Sequence, residues 1–228
     1  FEGLKIRRFH FGPLGKGIER VISMATSRRL IFKCTNVNLC LHHVQDLAHA
    51  NIVLLLRHPC AVVASQIAHG EAWNDVTKKN PDPCSDLERV FEDFPEWESV
   101  WKAIQTHEEV LTFIWAIRTI VPLRHLQSRD FYLTTYETIV EDGLAEINKI
   151  HQYLDLPVSG ETRVRFREAS ASTNAGSNVA RNSDPLTTWT RRLNTEQIRR
   201  ILEIVRRMDI DFYSEALTPD IERLSLGM

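Results

Sequence analysis

The stretch NIVLLLRHPCAVVASQIAHG, residues 51–70, runs an apolar segment of strand type straight into an arginine, a histidine and a proline, then resumes at helical spacing. A continuous Val/Leu run suits a strand covered on both faces, as in a parallel sheet with helices above and below. Pro59 fits the first turn of a helix, where its missing N–H costs nothing, so a helix is predicted over Cys60 to His69 with Ser65 about two turns in. Arg57 then stands at the carboxyl end of a strand. In open parallel sheets ligands bind at that end, and helix N-termini point their free N–H groups there. A phosphate lodged there would take a forked pair of hydrogen bonds from Arg57 and one from the Ser65 hydroxyl. The competing reading pairs Arg57 with a surface carboxylate and makes Ser65 a small residue on a packed helix.

Outward from this stretch, IERVISMATSRR (18–29) has helical spacing, RLIFK (29–33) is a short apolar strand, and TNVNLCLHHVQDLAHA (35–50) is helical again. Residues 74–95 carry three prolines and many charges and are expected to form a long surface loop able to act as a lid. Residues 96–127 predict one long amphipathic helix with Trp97, Trp101, Val110, Phe113, Ile114 and Ile117 on or near its core face, and with Pro122 as the place where it would break. DFYLTTYE (130–137) is a third strand, and EDGLAEINKIHQYLDLP is a helix closed by Pro157. The segment 169–184 is rich in Ser, Asn and Ala and is a loop, either mobile or ordered by a ligand. Asn194-Thr195-Glu196-Gln197 resembles a capping box ahead of a last helix. Strands alternating with helices define the α/β class.

With 228 residues, 43% of them hydrophobic, the chain can bury a substantial core and forms one domain, two at most. A net charge of -2 and a pI near 6.5 exclude a globally basic nucleic-acid binder, so any anion site must be local. No window approaches the ~20 apolar residues that span a bilayer, and FEGLKIRRFHFG lacks the plan of a signal peptide. Cys34, Cys40, Cys60 and Cys84 are too few for a disulfide scaffold and form no CxxC pair, so reduced, buried thiols and no metal are expected. No asparagine lies in a glycosylation signal, and a cytoplasmic location is expected.

At LLLRHPCAVVAS the chain resembles the sulfotransferases that use 3'-phosphoadenosine 5'-phosphosulfate (PAPS). In that family a strand ending in Arg, then Asp/Asn-Pro, an Ala-Val pair and a Ser eight residues after the Arg, forms the 3'-phosphate site; here His58 replaces the acidic or amide residue. RLIFK resembles the strand whose terminal Lys approaches the sulfuryl group, and FYLTTYETIVED the strand-then-Tyr-Glu segment. IHQYLDLP and LTTWTRRLNTEQIRRI resemble the Phe-Leu-Gly-Leu-Pro helix end and the late Trp-Arg-X-X-Leu segment. The resemblance covers roughly residues 29–213. It implies a three-layer α/β fold in which helices flank a central parallel sheet of four or five strands. It also implies that Arg57 and Ser65 bind the 3'-phosphate, that Tyr136 lies near the adenosine, that Arg181 closes the site, that Ser172 faces the cofactor, and that Lys33 stabilises the sulfuryl oxygens. The product nucleotide would be 3',5'-ADP, and the acceptor a small molecule, a carbohydrate or a lipid-like compound.

Two features depart from the family. No Ser/Thr/Gly-rich phosphosulfate loop is present, and FHFGPLGKGIERV, with Gly12, Gly15, Lys16 and Gly17, is either a glycine-rich connector or a degenerate phosphate loop. The expectation is a single domain over 1–228 that lacks its N-terminal strand, loop and helix. Thr35 stands where relatives place a general-base histidine, which leaves Glu71 and His69 as candidate bases, with His42 and His43 behind them. His58 would tune the phosphate site by becoming protonated. Trp73, Phe91, Phe94 and Trp97 form either an acceptor wall or lid anchors. A non-catalytic domain of the same fold would explain both departures. A P-loop kinase would need strand-end aspartates for magnesium where this chain has cations.

Overall fold

The computed structural model describes residues 31–33, 37–70, 87–160, 162 and 184–226. By its contacts the chain divides into two compact units, residues 1–38 and 39–228. In the first unit, residues 31–33 have no regular secondary structure. The strand expected at RLIFK does not form over its described part. The helix expected over 18–29 and the GPLGKG segment lie outside the described residues.

A 3-10 turn at Asn38–Cys40 carries the chain from the first unit into the second, whose order is α1 (Leu41–Ala48), β1 (Ile52–Leu56), α2 (Pro59–Ala68), α3 (Leu87–Asp93), α4 (Glu96–Lys102) and α5 (His107–Leu126). Then follow β2 (Phe131–Thr135), α6 (Tyr136–Asp142), α7 (Leu144–Tyr153), α8 (Thr188–Arg192), α9 (Thr195–Arg207) and α10 (Ile221–Leu226). β1 and β2 pair in parallel, from Ile52 opposite Phe131 to Leu56 opposite Thr135. These two strands make up the sheet among the described residues, where four or five were expected.

One face of the sheet supplies the main core. Leu54 and Leu56, with Phe131 and Leu133 beside them, pack with Phe113, Ala116 and Ile117 of α5 and with Ile204, Val205 and Met208 near the end of α9. The other face turns toward α7. There the buried Glu146 accepts hydrogen bonds from Thr134 Oγ1 (2.6 Å) and Tyr132 Oη (3.0 Å), and the rings of Tyr132 and Tyr153 lie 5.6 Å apart. Helices thus flank the sheet on both sides, as the α/β reading required. Leu55 remains 52% exposed, so among the described residues the apolar run of β1 is fully covered on one face only. A second core joins Cys60, Val63 and Ala64 of α2 to Leu111, Trp189, Ile201 and Leu202.

The expected helix over 96–127 is two helices. Thr106 takes extended backbone geometry, accepts the Glu109 N–H on its hydroxyl, and receives the Glu109 carboxylate at its own N–H, a capping box that starts α5 afresh. Pro122 does not break α5, which runs on to Leu126. Packing against α1, α2 and α9 outweighs the one hydrogen bond a proline forfeits. The second half of the expected lid loop is helical, with Val90 in the core and Phe91 and Phe94 packed against it. Phe94 stacks on Trp97 at 4.1 Å; Trp97 is fully buried in the core, and Phe91 and Phe94 are half-buried against it. Trp73 lies outside the described residues. Cys60 is buried as expected while Cys40 is exposed; Cys34 and Cys84 lie outside the description. The Asn194–Gln197 capping box forms in both directions, at 2.9 and 3.0 Å. No helix among the described residues is long and apolar enough to cross a membrane.

Candidate functional site at the strand ends

The parallel register ends with Leu56 opposite Thr135, so the next residue on each strand, Arg57 and Tyr136, leaves the sheet at the same level. The Arg57 guanidinium lies over the Tyr136 ring, 4.3 Å from its centroid. Its Nε is buried without a hydrogen-bond partner, and among the described residues the side chain forms no ion pair. A surface carboxylate for Arg57 is thus not found there. What remains is a half-buried cation with a flat aromatic backing and an unused donor, which is the chemistry of an anion site.

The turn beneath Arg57 is held by side chains from distant segments. Trp115 Nε1–H donates to the Arg57 carbonyl (3.1 Å), and the His58 N–H donates to Glu137 Oε1 (2.9 Å). The Tyr213 hydroxyl donates to the other carboxylate oxygen of Glu137 (3.2 Å). The Cys60 N–H donates to His58 Nδ1 (3.2 Å), and His58 Nε2–H donates to the Ser214 carbonyl (2.9 Å). Pro59 carries no N–H, and the backbone donors of His58 and Cys60 at the mouth of α2 are engaged by Glu137 and by His58 Nδ1. An anion at this end would depend on Arg57 and Ser65 rather than on those amides.

Burial sets the charge states. It pushes His58 down to about 4, against the hydrogen bonds to Ser214 and Ala216 that favour the cation. Burial likewise raises Glu137, despite the donors from His58 and Tyr213, and it holds the Tyr213 phenol far above its ordinary range and the Cys60 thiol up at about 12. The expectation that His58 tunes the site by protonation therefore fails. Its ring is buried, turned away to cap α2, stacked 4.7 Å from Trp189, and neutral.

The other expected residues are distributed as follows. Ser65 is half-buried on α2, seven residues past the cap, a rise of about 10 Å. His69 is exposed and closes the opposite end of α2 from Arg57, with its Nδ1 bonded to the Ser65 carbonyl at 2.7 Å. Lys33 is exposed and belongs to the first unit. Glu71, Ser172 and Arg181 lie outside the described residues. His42 and His43 cluster with His125 at the last turn of α5, with ring centroids of His42 at 3.9 Å from His43 and 4.3 Å from His125. That turn precedes β2, so the cluster is on the amino-end side of the sheet and not at the strand ends.

The reading from sequence missed Glu137, Tyr213 and Trp115. Glu137 was legible as the partner of Tyr136 in TTYE, but nothing in the pattern ties Tyr213, 76 residues later, to it.

The family described as Sulfotransferase domain matches residues 6–207. The chain belongs to that family, whose members are transferases of sulfuryl groups. A solved structure, the sulfotransferase domain from the curacin biosynthetic pathway, is 15% identical with a TM-score of 0.47, covering 85% of this chain and 68% of that one. No curated protein matches the chain.

Proposed function

We propose that this sulfotransferase takes its sulfuryl group from PAPS and passes it to a hydroxyl or amine of a small-molecule, carbohydrate or lipid-like acceptor. The observation that carries the reading is Arg57, a half-buried guanidinium with an unpartnered Nε, backed by Tyr136 at the carboxyl ends of paired parallel strands. A 3'-phosphate supplies the two oxygens that such a fork accepts, and the Tyr136 ring offers the adenosine an aromatic neighbour. The Ser65 hydroxyl adds a donor from α2. Ser172 and Arg181 join the same phosphate in this reading on the strength of the family resemblance.

PAPS, when bound, supplies a sulfuryl group already activated by its phosphate leaving group. On the strength of the family resemblance, Lys33 would lend positive charge to the sulfuryl oxygens during transfer. Glu71 takes the acceptor's proton as the new O–S or N–S bond forms; His69, tied to its own helix turn, is the second choice. Arg57→Ala tests the reading at its centre. Loss of a charge-assisted fork is expected to weaken 3',5'-ADP binding roughly tenfold to a hundredfold, or about 1.5 to 3 kcal/mol. Unchanged affinity would refute the role of Arg57.

A further inference from the structure

His58 stands where the sulfotransferase resemblance has an aspartate or asparagine, yet it still caps α2. Its Nδ1 accepts the Cys60 N–H at 3.2 Å, its carbonyl accepts the Val62 N–H at 3.0 Å, and its own N–H is fixed by Glu137. An imidazole can cap only while Nδ1 is unprotonated. The Ser214 carbonyl ensures that state by taking the proton on the other nitrogen. The ring does more than a carboxamide could, since it stacks nearly parallel to Trp189 of α8 (4.7 Å, 10°) and meets the edge of Tyr213 at 5.2 Å. One side chain, 1% exposed, thus fastens the phosphate-site turn to α8 and to the segment after α9.

We propose that His58 is a positioning residue for the nucleotide site. As a neutral imidazole pinned by Ser214, it caps α2 and holds the Arg57 backbone so that the guanidinium stays over Tyr136. The charged or titratable groups around it are Arg57, Glu137 of α6, Tyr213, and Cys60 with Glu215 nearby. In its binding consequence the inference rests on the nucleotide reading given above; the capping itself does not.

The two ring nitrogens can be separated by substitution. Asparagine places an amide oxygen near the position of Nδ1 and so retains the cap, while glutamine reaches the Nε2 position and retains only the bond to Ser214. Glutamine is closer to histidine in volume. A residue that merely fills space would therefore tolerate His58→Gln better, whereas a capping residue would tolerate His58→Asn better.

The experiment measures Cys60 amide exchange and 3',5'-ADP affinity for the full chain and for His58→Asn, His58→Gln and His58→Ala, near pH 7.5. Imidazole nitrogen shifts of the unsubstituted chain are recorded alongside. The expected order is His58→Asn close to the parent in both readouts, with His58→Gln and His58→Ala showing Cys60 exchange faster by about fivefold or more and weaker binding by a similar factor. An imidazolium, an Nδ1–H tautomer, or glutamine tolerated as well as or better than asparagine would overturn the proposal. If the parent chain does not bind 3',5'-ADP, the nucleotide reading fails by itself. The ring tautomer and the exchange order then decide between capping and packing.

Discussion

Arg57 carries the functional reading because its surroundings leave a donor unused. Proteins rarely bury a guanidinium nitrogen without a partner, and here the groups that fix the backbone on either side of Arg57 are all satisfied. Glu137 is central to that support, since it accepts both the His58 N–H and the Tyr213 hydroxyl while 1% exposed. Glu137→Ala would leave two buried donors unpaired and is expected to cost roughly 2 to 4 kcal/mol in denaturant unfolding. A loss below half a kcal/mol would show that water replaces the carboxylate there. The strand end at Arg57 and the helix start at Pro59 were legible because a strand ending in a cation and a helix starting at proline are local patterns; Tyr136 was suggested only by the family resemblance. The clamp was not legible, because Trp115, Glu137 and Tyr213 meet the turn only through the fold.

At the scale of elements, local chemistry decided where helices start, and packing decided where they stop. The boundary at Thr106 comes from a hydroxyl and a Glu three residues on, a signal that the continuous apolar periodicity of 96–127 concealed. Pro122 carried the opposite signal, and tertiary packing overrode it. Thr106→Ala should lower stability by about 1 kcal/mol, read as a drop in thermal midpoint of a few degrees, because it removes the hydroxyl that bonds the Glu109 N–H. No change in midpoint would mean that the remaining Glu109 contacts to the Gln105 and Thr106 amides suffice. The α2 start was predicted well for the same reason that α5 was not. Pro59 punctuates the chain visibly, whereas a threonine within an apolar pattern does not.

At the scale of the molecule, histidines whose pKa is lowered in the fold couple stability to pH. His58 is held near 4 in the folded chain against an ordinary value of 6.5, so as pH falls from 6.5 toward 4 the unfolded chain takes up a proton that the folded chain refuses. Its stabilising contribution is complete above pH 6.5 and is lost across that window, by at most about 3 kcal/mol. His42 and His125, lowered by burial and by their neighbouring cations, act in the same direction; Glu137, raised by burial, acts in the opposite one. Denaturant midpoints at pH 7.5 and 5 should therefore fall for the parent chain and fall less for His58→Asn. Equal slopes for the two would contradict the assignment to His58.

The central claim is that the strand ends hold a 3'-phosphorylated nucleotide. Calorimetric titration with 3',5'-ADP, set against 5'-AMP and against ATP with magnesium, tests it most directly. Binding of 3',5'-ADP is expected to exceed that of 5'-AMP by roughly tenfold or more, since only the former offers Arg57 a 3'-phosphate, with no advantage for ATP and magnesium. Equal affinity for 3',5'-ADP and 5'-AMP, or preference for ATP with magnesium, would contradict it.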